Sequence, residues 1–144
     1  MELVFDLETN GLLDTVDTIH CLGMAVVGSK AGQIYANDLG TFMNYEFSSY
    51  ECLDDALDLM KDADTLIGHN IIAYDLPVLK KVLNWTPRKS TKIIDTLVLS
   101  RLVHPDLKEI DAKERKVEPK LWGSHSLKAW GLRNGEPKGN YGDT

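Results

Sequence analysis

The chain has 144 residues, 43% of them hydrophobic, with 16 basic and 22 acidic side chains and a formal net charge of −6. This is enough for one compact domain with a real core and too little for two. No stretch approaches the roughly 20 apolar residues of a bilayer-spanning helix, the N-terminus carries no secretion signal, and the acidic balance argues against a general nucleic-acid coat protein.

Residues 2–7 form a short, largely apolar run that predicts a central strand buried on both faces. Asn10-Gly11 is turn chemistry. Residues 18–27 and 33–36 predict a second and a third strand, with Gly28 to Gly32 as a hairpin-like turn, so these three strands should pair antiparallel. The period then changes. Leu53, Ala56, Leu57 and Met60 fall at i, i+3, i+4, i+7, an amphipathic helix with Asp54, Asp55, Asp58 and Lys61 on its wet side. Thr65 to Gly68 predicts a fourth strand. Leu76 to Leu83 predicts a helix, with Asp75 placed to cap it and Pro77 in its first turn. Lys92 to Asp95 is the fifth strand. Leu97, Leu99, Leu102 and Val103 belong to a helix that Pro105 stops. Residues 106–122 are charged and without clean period, as in an exposed loop. Ser124 is placed to cap a last short helix through Trp130, ended by Gly131. Residues 134–144 are polar and glycine-rich. The order predicts an α/β fold, a mixed five-stranded sheet of three antiparallel and then parallel strands with flanking helices. A single, incomplete domain over residues 1–144 is expected.

Residues 1–72 hold 2 basic and 13 acidic side chains, and residues 73–144 hold 14 and 9. Such a split suits a protein that gathers metal ions in one place and phosphates in another, although plain surface solvation also accounts for it. Cys21 and Cys52 have no CxxC partner and predict reduced thiols, one or both packed in the core, in a cytoplasmic protein.

The chemistry concentrates in the acids. Asp6 and Glu8 stand one residue apart, so strand alternation puts both on one face. Adjacent carboxylates repel, and burying them is costly unless a cation lies between them. Magnesium suits an all-oxygen site. If the first and fourth strands are parallel neighbours, Asp75 comes to the same sheet edge. Three carboxylates there can hold two divalent ions about 3.5–4 Å apart, an arrangement for phosphoryl transfer. Asp95 is either a fourth acid near the site or the cap of the following helix. His20, His69, His104 and His125 lack metal-ligand spacing.

Asp6-Leu7-Glu8-Thr9 and Asn70-Ile71-Ile72-Ala73-Tyr74-Asp75 with Leu79 resemble the first two motifs of the DEDD proofreading 3′→5′ exonucleases, which have a ribonuclease H-like fold. Ile94 to Leu102 and Gly123 to Gly131 closely resemble the N-terminal exonuclease domain of family A replicative DNA polymerases from T-odd-type phages. The resemblance implies hydrolysis of 3′-terminal phosphodiesters of single-stranded DNA with two Mg²⁺ or Mn²⁺ ions, releasing 5′-mononucleotides. It implies that Asp6 bridges both ions, that Glu8 ligates the one carrying the nucleophilic water, and that Asp75 serves the other through water. Leu12 matches a position that packs on the terminal base, and Thr9 and Asn70 match positions that contact the terminal nucleotide. The remainder of a polymerase chain is the implied partner, with no membrane. A third family motif, Tyr-x-x-x-Asp, finds no match, because Tyr141 and Asp143 are two apart. Weak or absent activity of these 144 residues alone is therefore expected. The other reading is a catalytically incomplete module that binds DNA or a second polypeptide.

Overall fold

The structure, a computed structural model, describes residues 1–36, 50–137 and 139. Tyr141 and Asp143 lie outside the described residues, as does most of the glycine-rich end. The chain divides into two compact units, Met1–Thr96 and Leu97–Thr144.

The first unit holds the sheet. Its strands are β1 (Glu2–Thr9), β2 (Ile19–Val26), β3 (Gly32–Ala36), β4 (Tyr50–Cys52), β5 (Thr65–Gly68) and β6 (Lys92–Asp95). They lie in the order β4-β3-β2-β1-β5-β6. β1 to β3 pair antiparallel, and β5 and β6 add in parallel to the other side of β1. The five strands expected from sequence are all present in the mixed arrangement. The sheet gains a sixth, β4, paired in parallel with β3. That strand is three residues long and leads straight into a helix, so it has too few positions to show a period.

β1 is central, but only one of its faces is buried. Leu3, Phe5 and Leu7 are 1%, 2% and 6% exposed, whereas Val4 between them is 42% exposed. The expectation of burial on both faces fails because Val4 shares its side with Glu2, Asp6 and Glu8, all exposed, and charged carboxylates resist desolvation. Helix α1 (Leu53–Asp62) buries Leu53, Ala56, Leu57 and Met60, the face the periodicity predicts. Asp54 and Asp55 in its first turn and Lys61 in its last complement the helix dipole. Helix α2 (Asp75–Leu83) buries Val78 and Leu79 in the same core as Phe5, Leu22, Leu66 and Ile71. β5 ends at Gly68, where an added Cβ would stand 2.3 Å from Ile71 Cγ2 and 2.8 Å from the Phe5 carbonyl oxygen. Glycine is the residue that lets the turn after β5 close down on β1.

The second unit is helical: α3 (Thr96–Val103), α4 (Leu107–Glu114), a 3₁₀ turn (Pro119–Leu121) and α5 (Leu127–Asn134). α3 buries none of its residues, and Leu102 and Val103 are 76% and 58% exposed. α4 and the 3₁₀ turn fall where an exposed loop was expected. The period is disguised because the inward positions are Leu107 and Asp111, an acid in an apolar slot. Arg133 neutralises that acid with a two-pronged contact, Nε to Oδ1 at 2.8 Å and Nη2 to Oδ2 at 2.7 Å. The guanidinium holds the Asp111 carboxyl below the usual carboxylate range. The expected Ser124 cap is also corrected. Ser126 caps α5, accepting from the Ala129 amide at 3.3 Å, and the helix runs past Gly131 to end at Gly135, with φ +75°. Ser124 instead donates its hydroxyl to Ser126 Oγ.

Cys21 and Cys52 are free thiols, but they are half-buried and exposed respectively, so neither belongs to the core as expected. Among the described residues, no helix is long and apolar enough to cross a membrane.

Candidate active site

Asp6 and Glu8 project from the exposed face of β1. In the antiparallel register with β2, Asp6 lies opposite Gly23 and Glu8 opposite Cys21. Among the described residues, a Cβ on Gly23 would meet nothing within 4 Å. Burial, then the charges of Glu8 and Asp6, push the Cys21 thiol above its usual pKa and hold it protonated on this acidic face.

Asp75 does not cap α2. Its carboxylate turns to β1, and its Oδ1 accepts from the Leu7 amide at 3.1 Å. The N-cap position falls to Tyr74, with no side-chain capping bond. Only 3% of Asp75 is exposed. Burial pushes its carboxyl up to about 6, the charges of Asp6 and Asp95 add to the rise, and the Leu7 amide opposes it. The coupling to Asp6 is a like-charge repulsion that a cation would relieve. Among the described residues, however, no group of three or more His, Cys, Asp or Glu is gathered tightly enough to hold a metal ion. The donor set is hard oxygen and suits Mg²⁺ or Mn²⁺ by its chemistry, without a preassembled cage.

Asp95 is the last residue of β6 and stands immediately before α3. It is 6% exposed, and it accepts from the Asn70 amide at 2.9 Å and from the Ile72 amide at 3.0 Å. That brace holds Asn70 in the left-handed region, φ 67°, where asparagine is among the few tolerated side chains. Asn70 and Thr9, the two expected nucleotide contacts, are half-buried. His69 Nδ1 lies 3.0 Å from Thr96 Oγ1, whose hydroxyl donates to the Gly68 carbonyl. The threonine has one proton and uses it on Gly68, so His69 Nδ1 is the donor of that pair.

Leu12 is 78% exposed at the tip of the loop that follows β1. The loop is tied down on both sides of it. Tyr74 donates its hydroxyl to the Gly11 carbonyl at 2.5 Å, and Thr9 Oγ1 joins the same oxygen pair, 2.5 Å from the phenol. Lys81 donates to the carbonyls of Leu13 and Asp14 at 2.8 and 3.0 Å. Asn10 accepts from the amides of Asp17 and Thr18. Sequence reasoning missed Tyr74 and Lys81 as supports. Tyr74 stands beside Asp75 in the motif, but nothing in the spacing says that its hydroxyl reaches Gly11.

Comparison with known proteins gives the lineage. The RNase H superfamily profile matches residues 3–130. Over 152 aligned residues the chain is 36% identical to the DNA-directed DNA polymerase of Escherichia phage T7 and 38% identical to that of Enterobacteria phage T3. Each alignment covers 98% of this chain and 20% of the relative, so the chain spans about a fifth of the length of these curated relatives. Brucella melitensis NrnC, solved with bound Mg²⁺, has the same fold, with a TM-score of 0.52 and 20% identity over 94% of this chain and 64% of that one. The resemblance to phage polymerases read from the sequence is borne out.

Proposed function

The chain belongs to the RNase H superfamily, and we propose that it is the 3′→5′ exonuclease part of a phage-type DNA polymerase, acting on the 3′ end of single-stranded DNA. The similarity to two phage polymerases across 98% of its length supports this reading. The observation that carries it is the buried Asp75 fastened to the Leu7 amide, between Asp6 and Glu8 in sequence. A carboxylate at about 6 beside another acid is an arrangement that fits divalent-ion binding better than fold stability.

In this reading Asp6, Glu8 and Asp75 hold two Mg²⁺ or Mn²⁺ ions. When bound, the ions supply an activated water and neutralise charge on the leaving 3′ oxygen. The Leu7 amide orients Asp75. Leu12 offers an exposed apolar surface to the terminal base, and Thr9 and Asn70 flank the terminal nucleotide. A frayed, unstacked end enters more readily than a paired one. The rest of the polymerase is the partner.

A 5′-labelled oligonucleotide incubated with Mn²⁺ should shorten one nucleotide at a time from its 3′ end, slowly with this chain, and the shortening should vanish in Asp6→Ala. Internal cuts, or cleavage that survives Asp6→Ala, overturn the reading. Tight binding with no cleavage points instead to the non-catalytic module.

A further inference from the structure

The helical unit holds a cleft of its own. Between α4 and α5 the chain surrounds an open cleft of about 430 Å³ lined by Arg115, Lys116, Val117, Glu118, Pro119 and Trp122. That is within the size range of small-molecule sites, about 300–1,000 Å³. Trp122 is fixed in place, since its Nε1 donates to the Val117 carbonyl at 3.0 Å and Val117 is buried. Its one polar atom is spent, so the indole offers the cleft apolar π surface. Val117 and Pro119 add further apolar wall.

The charge at the mouth is positive. Arg115 stands in the left-handed turn that closes α4, φ 52°, and is exposed. The nearby acids are already taken: Glu114 pairs with Lys116 at 3.0 Å and Glu118 with Lys120 at 2.8 Å. Arg115 has no ion pair among the described residues. The two lysine pairs are solvent-exposed, and such pairs contribute little, so a phosphate can displace the acid from Lys116. An aromatic wall with arginine and lysine beside it is the combination that holds unpaired nucleotides, by stacking and by backbone charge.

We propose that this cleft is a nucleotide subsite for single-stranded DNA, with a base against Trp122 and an adjacent phosphodiester at Arg115 and Lys116. That the nucleic acid is DNA rests on the exonuclease reading; the subsite itself needs no metal. The test is fluorescence anisotropy of a labelled oligothymidylate of about eight nucleotides, a length within single-strand site sizes, with the 144-residue chain in EDTA. Trp122→Leu should weaken binding by about tenfold. Arg115→Gln, a surface change that leaves the fold intact, should weaken it and lower the salt slope by about 0.7. The same oligonucleotide in a duplex should bind less well. Wild-type affinity and salt slope in Arg115→Gln, or no oligothymidylate binding by the parent chain, overturns the subsite. Cleavage that persists in Asp6→Ala sinks the exonuclease reading and leaves the subsite standing.

Discussion

The Leu7 amide donates to Asp75 Oδ1 across 68 residues of sequence, and it does so from the position between Asp6 and Glu8. One backbone group of β1 thus fixes a carboxylate from α2 beside a strand that carries two more. The bond satisfies a buried acid, but it leaves that acid next to the charge of Asp6.

Asp75 therefore opposes folding when it is ionised. Its folded-state value of about 6 lies above the ordinary 3.8. The destabilisation is present above pH 6 and is relieved as pH falls toward 4, because the folded state binds the proton more tightly. Asp75→Asn keeps an acceptor for the Leu7 amide and removes the charge. In EDTA at pH 7.5 its Tm should exceed that of the parent, and the gap should narrow as pH falls from 6 toward 4. A lower Tm for the variant at pH 7.5 contradicts this.

Divalent ions should reverse the ranking. Millimolar Mn²⁺ at pH 7.5 should raise the Tm of the parent by mass action and do little for Asp75→Asn or Asp6→Asn. Lowering the pH below 6 should blunt the effect, since a protonated Asp75 is a poor ligand. Equal Mn²⁺ shifts in all three proteins would show the acids to be bystanders.

Tyr74→Phe deletes the hydroxyl that Gly11 and Thr9 share. A hydrogen bond of this kind contributes about 1 kcal/mol net, so global stability should fall only modestly. Hydrogen exchange should speed up in residues 10–16 and stay unchanged in β5. Lys81→Met should add to the effect, because it releases Leu13 and Asp14 on the other side of Leu12. Exchange that is uniform across the first unit would mean that the clamp is not local.

Gly68→Ala forces a methyl to within 2.3 Å of Ile71 Cγ2 and 2.8 Å of the Phe5 carbonyl. Overpacking of this kind costs roughly 1–3 kcal/mol. The backbone oxygen cannot rotate aside, so the upper end is expected in urea denaturation. A neutral result would require β5 to shift away from β1.

In the helical unit, Asp111→Asn should cost about 3–5 kcal/mol, because it strands a guanidinium that is 7% exposed. Circular dichroism should register the loss in the helical signal. If Asp111→Asn and Arg133→Met are each harmless, the pair does not anchor α4 to α5.

Where side chains repeat on one period, the sequence already foretold the structure. Leu53, Ala56, Leu57 and Met60 declared α1, and the spacing of Asp6 and Glu8 declared a shared face. Three features were hidden for separate physical reasons. Asp111 looks like a surface acid until Arg133, 22 residues on, is seen to meet it. Asp75 precedes a helix as a cap would, yet the Leu7 amide is the better partner for a carboxylate that is already buried. Asp95 follows two isoleucines, and its amide partners, Asn70 and Ile72, lie more than 20 residues upstream. Each depends on a contact distant in sequence, for which no local pattern exists.

The Asp95 brace bears on any attempt to transplant this turn. The bend that sets Asn70 at φ 67° is stabilised by a side chain on a different strand. A peptide copied from residues 65–83 would carry the asparagine and the tyrosine but not the carboxylate that holds their backbone, and it should relax to other conformations. A graft into another scaffold must import β6 along with it.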